Sequence, residues 1–542
     1  MNINVTRIPR ISLTMPSLIV LLALYFGTVM NYPVIKKIFE LSHSVSDVSF
    51  PYTAPLFLIF CFTIIFSVFA IPYFFKPFMA FVILTSAAAL YAQMSFHTLF
   101  DSSMMESIFE TNSSEAAFYL NSASVGYMLI LGLIPTLLVF LVKIKPQSSW
   151  KKAAITRVGL VVLAIVGILL IAATNYKNYA SVGRNNKYLN KMIIPAHIYN
   201  GVRYFDKTYF AKTYPYKPQG EDAKLLPSAN GKPTLMVVVL GETARAMNFA
   251  QNGYQRNTDP YTKDMGLISF KHVSSCGTYT ALSVPCMFSN LNRDNYDKER
   301  AKSQDNVLNV MNHAGVELMW FDNDGGSKGV ADNLPHQRID GSLKDVDCNG
   351  STCFDEVMLK KAQTFINKDT KNKLLVLHTI GSHGPTYWQR YPKSHAPFQP
   401  ACDRSDIENC SDKEIKNVYD NTLVYTDYVL SQVIEQLKQA SKQYNVMMTY
   451  ISDHGESLGE NGLYLHGTPY SIAPVEQTHV PWLVWMPQNY AQQKHINKSC
   501  LENLATTQNL SHDNLFHSLL GLYGIQTSAD NKQLDITAKC HA

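Results

Sequence analysis

The feature that most limits what this chain can fold into is the crowding of long apolar runs into its first 175 residues, followed by a polar remainder. Five stretches, near 11–31, 53–75, 77–96, 122–142 and 154–174, carry few or no charges. Each has about twenty residues, enough for a helix to cross a hydrocarbon core of about 30 Å. The first run could be a secretory signal, but it is long, lacks a small-residue cleavage site and is followed by further runs, so an uncleaved span is preferred. At 542 residues the chain also exceeds one ordinary core, and two or more domains are expected.

Basic residues beside the spans set the orientation. Arg7 and Arg10 precede the first, Lys76 lies between the second and third, and Lys143, Lys145, Lys151, Lys152 and Arg157 flank the fourth loop. The third loop carries Asp101, Glu106, Glu110 and Glu115 with no Lys or Arg, while Lys36 and Lys37 oppose the pattern and are outnumbered. An odd number of spans that starts inside puts everything after residue 175 outside. Cysteine points the same way. Cys61 lies in an apolar run, and Cys276, Cys286, Cys348, Cys353, Cys402, Cys410, Cys500 and Cys540 all lie in the polar part. An even set in an exported domain suggests disulfides. Many pairings are open, and chain order offers a simple one: 276–286, 348–353, 402–410 and 500–540. The net charge of +5 is mild and no Lys/Arg block occurs, which argues against nucleic acid as a partner.

Three domains are expected: a five-helix membrane domain over 1–175, an interfacial connector over 176–232 and a soluble domain over 233–542. The connector mixes tyrosines with Lys and Arg, a composition that suits the lipid headgroup layer. One or two short helices on the outer membrane surface are expected there. Beyond it, LMVVVLGE (235–242), VELMWFDN (316–323), KLLVLHTIG (373–381), YNVMMTYISDHG (444–455) and HVPWLVWMP (479–487) read as buried strands. Helical stretches such as 413–441 fall between them, the α/β pattern of a largely parallel sheet covered by helices. Glu242, Asp322, His383 and the pair Asp453–His454 end or follow four of these strands. Sites in open α/β sheets collect at such carboxyl ends.

Asp453 and His454, with Gly455 permitting a tight turn, offer oxygen and imidazole donors that suit Zn²⁺, or Mn²⁺ as the next choice. Thr280 stands in SSCGTYTALSVPCMFS (274–289) between Cys276 and Cys286, where a disulfide would clamp its loop. A helix starting near Thr280 would aim backbone N–H groups at a phosphate. Its hydroxyl needs a base or a metal to act as a nucleophile. Thr278 or Ser283 could take that role on composition alone, and Thr280 could instead be a helix N-cap.

GETARAMNF (241–249), CGTYTALSVPCMFS (276–289), DGGSKGV (324–330), SHGPTYWQRYP (382–392) and SDHGESLGENGLYLHG (452–467) resemble the lipid A phosphoethanolamine transferases, which include the mobile colistin-resistance enzymes. The resemblance spans the whole chain. It implies an alkaline-phosphatase/sulfatase-like catalytic domain in the periplasm, on a five-span anchor in the inner membrane of a Gram-negative bacterium. It further implies one tightly bound Zn²⁺ at Glu242, Thr280, Asp453 and His454, with Thr280 accepting the phosphoethanolamine group. His383 and His466 match histidines that hold a second zinc or the substrate phosphate, and Lys328 matches a basic residue near the transferred group. Asp324 stands where relatives often carry Asn. Thr111 and Glu115 match third-loop residues that reach the site, spaced by four on one helix face, and Ser107 replaces an expected Asn.

The implied reaction moves phosphoethanolamine from phosphatidylethanolamine to a lipid A phosphate, through a phosphothreonine-type intermediate, by a protein acting as a monomer in the bilayer. Reduced polymyxin binding would follow. Rival readings are transfer to a lipopolysaccharide core sugar, phosphoglycerol transfer, and a metal-stabilised receptor without turnover.

Overall fold

The computed structural model describes residues 11–42, 49–111, 113–339 and 341–541, with the side chains of Ser114 and Glu115 outside that description. Arg7 and Arg10, used above for orientation, also lie outside it. Contacts divide the chain into two units: Met1–Met105 with Leu120–Phe205, and Glu106–Tyr119 with Asp206–Ala542.

In the first unit the apolar runs become helices. α1 (Met15–Met30) is followed, after a bend of 58°, by α2 (Tyr32–Ser42). α3 (Phe50–Val68), α4 (Phe75–Phe96), α7 (Ser122–Leu141) and α8 (Trp150–Asn185) are each long and apolar enough to cross a membrane. Between α4 and α7 run α5 (Ser102–Glu110) and α6 (Ser113–Phe118). The first run, 11–31, is thus α1, and the bend falls at its end, with α2 continuing through the residues that carry Lys36 and Lys37. At the break, buried Asn31 donates to the carbonyls of Phe26 and Ile194 and accepts from the Ile194 N–H, so its amide replaces lost helical hydrogen bonds. Gly27 lets α1 approach α3 closely, because a Cβ there would stand 2.5 Å from Ile59 Cγ1. Leu129, Ile130, Leu137 and Phe140 of α7 and Val158, Leu163 and Leu169 of α8 are exposed, an apolar outer face suited to lipid. α8 runs on past residue 175 without a Pro, and α9 (Leu189–Met192) and α10 (Ala196–Tyr209) follow.

The second unit is built on a seven-stranded sheet. Its strands are β1 (Thr234–Gly241), β2 (Ile268–Phe270), β3 (Glu317–Asp322), β4 (His336–Arg338), β5 (Lys373–His378), β6 (Asn445–Ser452) and β7 (Trp482–Trp485). The order across the sheet is β2-β7-β6-β1-β5-β3-β4. The five strands from β6 to β4 are parallel, and β7 and β2 join antiparallel at one edge. β1, TLMVVVLG, is buried along its whole length, as a central strand covered on both faces must be. Each such Val or Leu contributes about 1.5–3 kcal/mol through burial. The short strands β2 and β4 had no periodic signal to mark them, and β4 is exposed at every residue.

Register places the strand ends together. Gly241 of β1 lies opposite Ser452 of β6, Leu240 opposite His378 of β5, and His378 opposite Asp322 of β3. The residues at or just after these positions, Asp322, His378, Glu242, Asp453 and His454, thus share one edge. Helix α12 (Asp412–Ala440) opens with a Ser411–Glu414 capping box and packs against β6. Disulfides join Cys276–Cys286, Cys348–Cys353, Cys402–Cys410 and Cys500–Cys540.

Candidate active site

Four donors meet at the sheet edge. Thr280 Oγ1 lies 3.1 Å from Glu242 Oε2 and 3.4 Å from His454 Nε2. The same Nε2 lies 3.3 Å from Asp453 Oδ2 and 3.5 Å from Glu242 Oε1. His454 Nδ1 faces the Gly455 carbonyl at 2.9 Å, so the hydrogen sits on Nδ1 and the Nε2 lone pair points into the cluster. Glu242, Asp453 and His454 are fully buried, whereas Thr280 is half-exposed.

Backbone and side-chain hydrogen bonds hold this edge in place. Asp453 Oδ1 accepts the N–H groups of His454 and Thr243. Thr243 has φ of 54°, a left-handed conformation that is costly for a β-branched residue. Tyr419 of α12 compensates by donating to the Thr243 carbonyl at 2.7 Å and accepting from the Arg245 N–H at 2.9 Å. Gly455 serves a different purpose from the tight turn expected of it. A Cβ at this position would stand 2.0 Å from the Glu476 carbonyl oxygen, so glycine is needed for close approach.

Thr280 opens helix α11 (Thr280–Met287), and its flanks are tied down separately. Ser283 donates to the Asp453 carbonyl at 2.6 Å and accepts from the Gly277 N–H. Thr278 donates to the Thr468 carbonyl at 2.7 Å. Neither alternative hydroxyl therefore points into the cluster as Thr280 does. Buried His512 bridges the loop to β6, accepting from the Cys276 N–H and donating to the Ser452 carbonyl.

His466 packs over His454 with ring centroids 4.5 Å apart, and His383 lies 5.6 Å from His466. Burial would lower the His466 pKa, but the Glu456 carboxylate, 2.8 Å from Nδ1, raises it above the usual value. His383 is pushed well below the usual value by burial and then by Arg390, with Lys328 adding to the effect. Lys328 thus sits within electrostatic reach of His383, on a left-handed turn with φ of 52°. Thr111 Oγ1 donates to the Ser107 carbonyl at 2.7 Å, closing the end of α5. The side chain of Glu115 lies outside the described residues. Elsewhere in this loop segment Glu106 accepts from the Tyr279 hydroxyl at 2.9 Å and pairs with Lys298, which also reaches Glu110.

The donors fit a metal ion. Glu242 Oε1 and Asp453 Oδ2 are buried without a hydrogen-bond partner among the described residues. One ligand atom each from Glu242, Asp453 and His454 lie within 4.8 Å of one another. Ligands with bonds of about 2 Å to a tetrahedral ion stand a little over 3 Å apart, close to the spacing here. Burial, then repulsion from Asp453 and Asp324, pushes the Glu242 carboxyl well above its usual range, a cost that a cation would reverse. Glu242 also groups with His383 and His466, and with Asp324 and His378. Glu456 and His378 escaped the sequence reading. His378 was hidden inside an apolar strand pattern, and Glu456 inside the turn after Asp453. In both cases only register and the returning loop reveal the partner.

Comparison with known proteins gives this edge a context. Residues 234–525 match the sulfatase family and residues 58–209 match "Phosphoethanolamine transferase EptA/EptB". The chain is 38% identical over 468 residues to phosphoethanolamine transferase EptA of Escherichia coli K12, covering 86% of this chain and 85% of that one. It is 35% identical over 465 residues to phosphatidylethanolamine transferase Mcr-1 of Escherichia coli, covering 84% of each. The solved integral membrane lipooligosaccharide phosphoethanolamine transferase A of Neisseria meningitidis superposes with a TM-score of 0.94 at 36% identity, over 98% of this chain and 99% of that one. A helical membrane-type region and a sulfatase-like domain with Glu242, Asp453 and His454 at its strand ends and Thr280 at a helix start thus belong to one chain, and that chain is a member of the phosphoethanolamine transferase family.

Proposed function

We propose that the chain transfers phosphoethanolamine from phosphatidylethanolamine to a phosphate of lipid A, by way of a phosphothreonine-type intermediate on Thr280. The observation that carries this reading is the Thr280 hydroxyl, half-exposed and 3.1 Å from the buried Glu242 carboxylate. Membership of the family supports the group that moves. Glu242, Asp453, His454 and Thr280 would hold one zinc ion. When bound, zinc would lower the Thr280 hydroxyl pKa and offset charge on the phosphoryl oxygens.

In the first half-reaction Thr280 Oγ1 bonds to phosphorus as its proton passes toward Glu242. The bond from phosphorus to the diacylglycerol oxygen breaks, and that oxygen takes a proton from His466 Nε2, kept available by Glu456 at Nδ1. His383, held neutral by burial and Arg390, would instead donate a hydrogen bond from its ring N–H to a phosphoryl oxygen. In the second half an acceptor phosphate oxygen attacks phosphorus and gives its proton to His466, the Thr280 bond breaks, and Glu242 returns the proton to Thr280 Oγ1. Exclusion of water during the intermediate's lifetime keeps the enzyme from hydrolysing its donor.

The eight paired cysteines of the second unit support an oxidising compartment, and the apolar helices support a multi-pass anchor. We therefore assign the protein to the inner membrane with its catalytic domain in the periplasm. Expression in a polymyxin-susceptible strain, followed by mass spectrometry of lipid A, tests the reading. Lipid A heavier by one phosphoethanolamine is expected. Unmodified lipid A beside a modified core would move the acceptor to a core sugar, and no modification by folded, inserted protein would contradict the proposal.

A further inference from the structure

Beside the Thr280 cluster lie two donors, His378 and Asp324, that the transfer chemistry leaves unused. His378 ends β5 and is fully buried. Its Nδ1 stands 2.7 Å from Asp322 Oδ2. That carboxylate also accepts from Trp320 Nε1 and from the N–H groups of Asp324 and Gly326, so it is fixed as an ionised acceptor. Nδ1 therefore carries a hydrogen. Nε2, by contrast, is buried with no hydrogen-bond partner among the described residues. It faces Asp324 Oδ2 at 3.7 Å, too long for a hydrogen bond and near the separation of two ligands around one ion. Ligand atoms of Glu242, Asp324 and His378 lie within 4.8 Å of one another, and all three residues are buried.

A carboxylate that fixes one imidazole nitrogen so that the other can bind a metal is the usual support of a metal-ligating histidine. The competing arrangement is a proton on Nε2, which would make His378 an imidazolium between Asp322 and Asp324. Burial disfavours that proton while Asp322, Asp324 and Asp453 favour it, and the 3.7 Å gap from Nε2 to Asp324 Oδ2 is longer than a hydrogen bond and open to an ion. Charge favours a cation as well. An ion at Asp324, His378 and Glu242 would sit among buried oxygen and imidazole donors within 4.8 Å of one another. We propose that Asp324, His378 and Glu242 form a further divalent-cation site, with Glu242 shared between it and the Asp453–His454 site. One imidazole with carboxylates and no thiolate suits Zn²⁺ or Mn²⁺. These donors are distinct from the His383–His466 pair.

The inference rests on Glu242 being a metal ligand, and the test separates the two claims. Full-length protein in detergent is stripped with a chelator and titrated with Co²⁺, with metal content read after dialysis. Asp324→Asn and His378→Gln should each retain one equivalent fewer than the wild type, while His383→Ala keeps that equivalent. Equal content in Asp324→Asn and the wild type, or its loss in His383→Ala alone, overturns the site. Because Asp324 and His378 are buried and their variants could misfold, a second reading uses His383→Ala by itself. Its first Co²⁺ paramagnetic resonance signal should weaken as the second ion fills, through the shared carboxylate. An unchanged signal overturns the shared site. A wild type that holds no metal at all would instead overturn the role of Glu242.

Discussion

The two sides of the cluster are built differently. Glu242, Asp453, His454 and His378 sit at strand ends, are fully buried, and are placed by sheet register and by Tyr419, Asp322 and the Gly455 close approach. Thr280, Lys328, His383 and His466 stand on loops or a helix start and are half-buried. The first side cannot shift without breaking the central sheet. The second can adjust to substrates while its flanks stay tied by Ser283, His512 and the Cys276–Cys286 disulfide. The proposed function puts metal binding on the rigid side and group transfer on the accessible side, a division that suits two bulky lipid substrates in turn.

Variants on each side should separate these roles. The largest effect is expected from Thr280→Ala, which should lower transfer by more than about 10³-fold while leaving the melting temperature within about 2 °C, because a half-exposed hydroxyl adds little to stability. Assay of lipid product beside thermal unfolding checks it. Next, chelation of the wild type, or Glu242→Gln, should cut transfer by about 10²-fold or more. On the rigid side such a loss should also lower the melting temperature, since a bound ion stabilises the folded state. Zn²⁺ should restore both readouts in the chelated wild type, and full activity without metal would break the division.

On the accessible side, His466→Gln should cost about 10²-fold in transfer, the usual contribution of a positioned acid. Glu456→Gln should cost less and shift the pH profile. The carboxylate raises the His466 pKa, so the acid form persists to higher pH in the wild type. Removing that charge lowers the pKa, and the alkaline limb of the rate profile should move to lower pH. An unmoved limb would remove His466 from the proton transfer. The smallest effect is expected from Tyr419→Phe. Losing the hydroxyl that supports Thr243 and Arg245 should cost about 1–3 kcal/mol in stability, read by denaturant unfolding, with transfer reduced less than about 10-fold.

Much of this was legible in the sequence because its signals are local. The apolar runs, the buried run of β1, and the Asp453–His454 pair after β6 need no partner to be read. What the sequence left open depends on register or on distant loops. The break at Asn31 is stabilised by Ile194, far away in the chain, so helix α2 beyond it was not read. His378 looked like one more residue of an apolar strand, and only its register with Asp322 turns its Nε2 toward Asp324. Ser283 looked like a rival nucleophile until its bond to the Asp453 carbonyl placed it as a brace. The bond of the Thr111 hydroxyl to the Ser107 carbonyl, which closes the end of α5, was likewise not read.

The most direct test of the account is intact-mass spectrometry of the full-length protein after brief incubation with phosphatidylethanolamine and no acceptor. The account predicts a mass increase of one phosphoethanolamine, mapped by peptide fragmentation to Thr280 and absent from Thr280→Ala. An active enzyme that shows no such adduct, or that carries it on another residue, would contradict it.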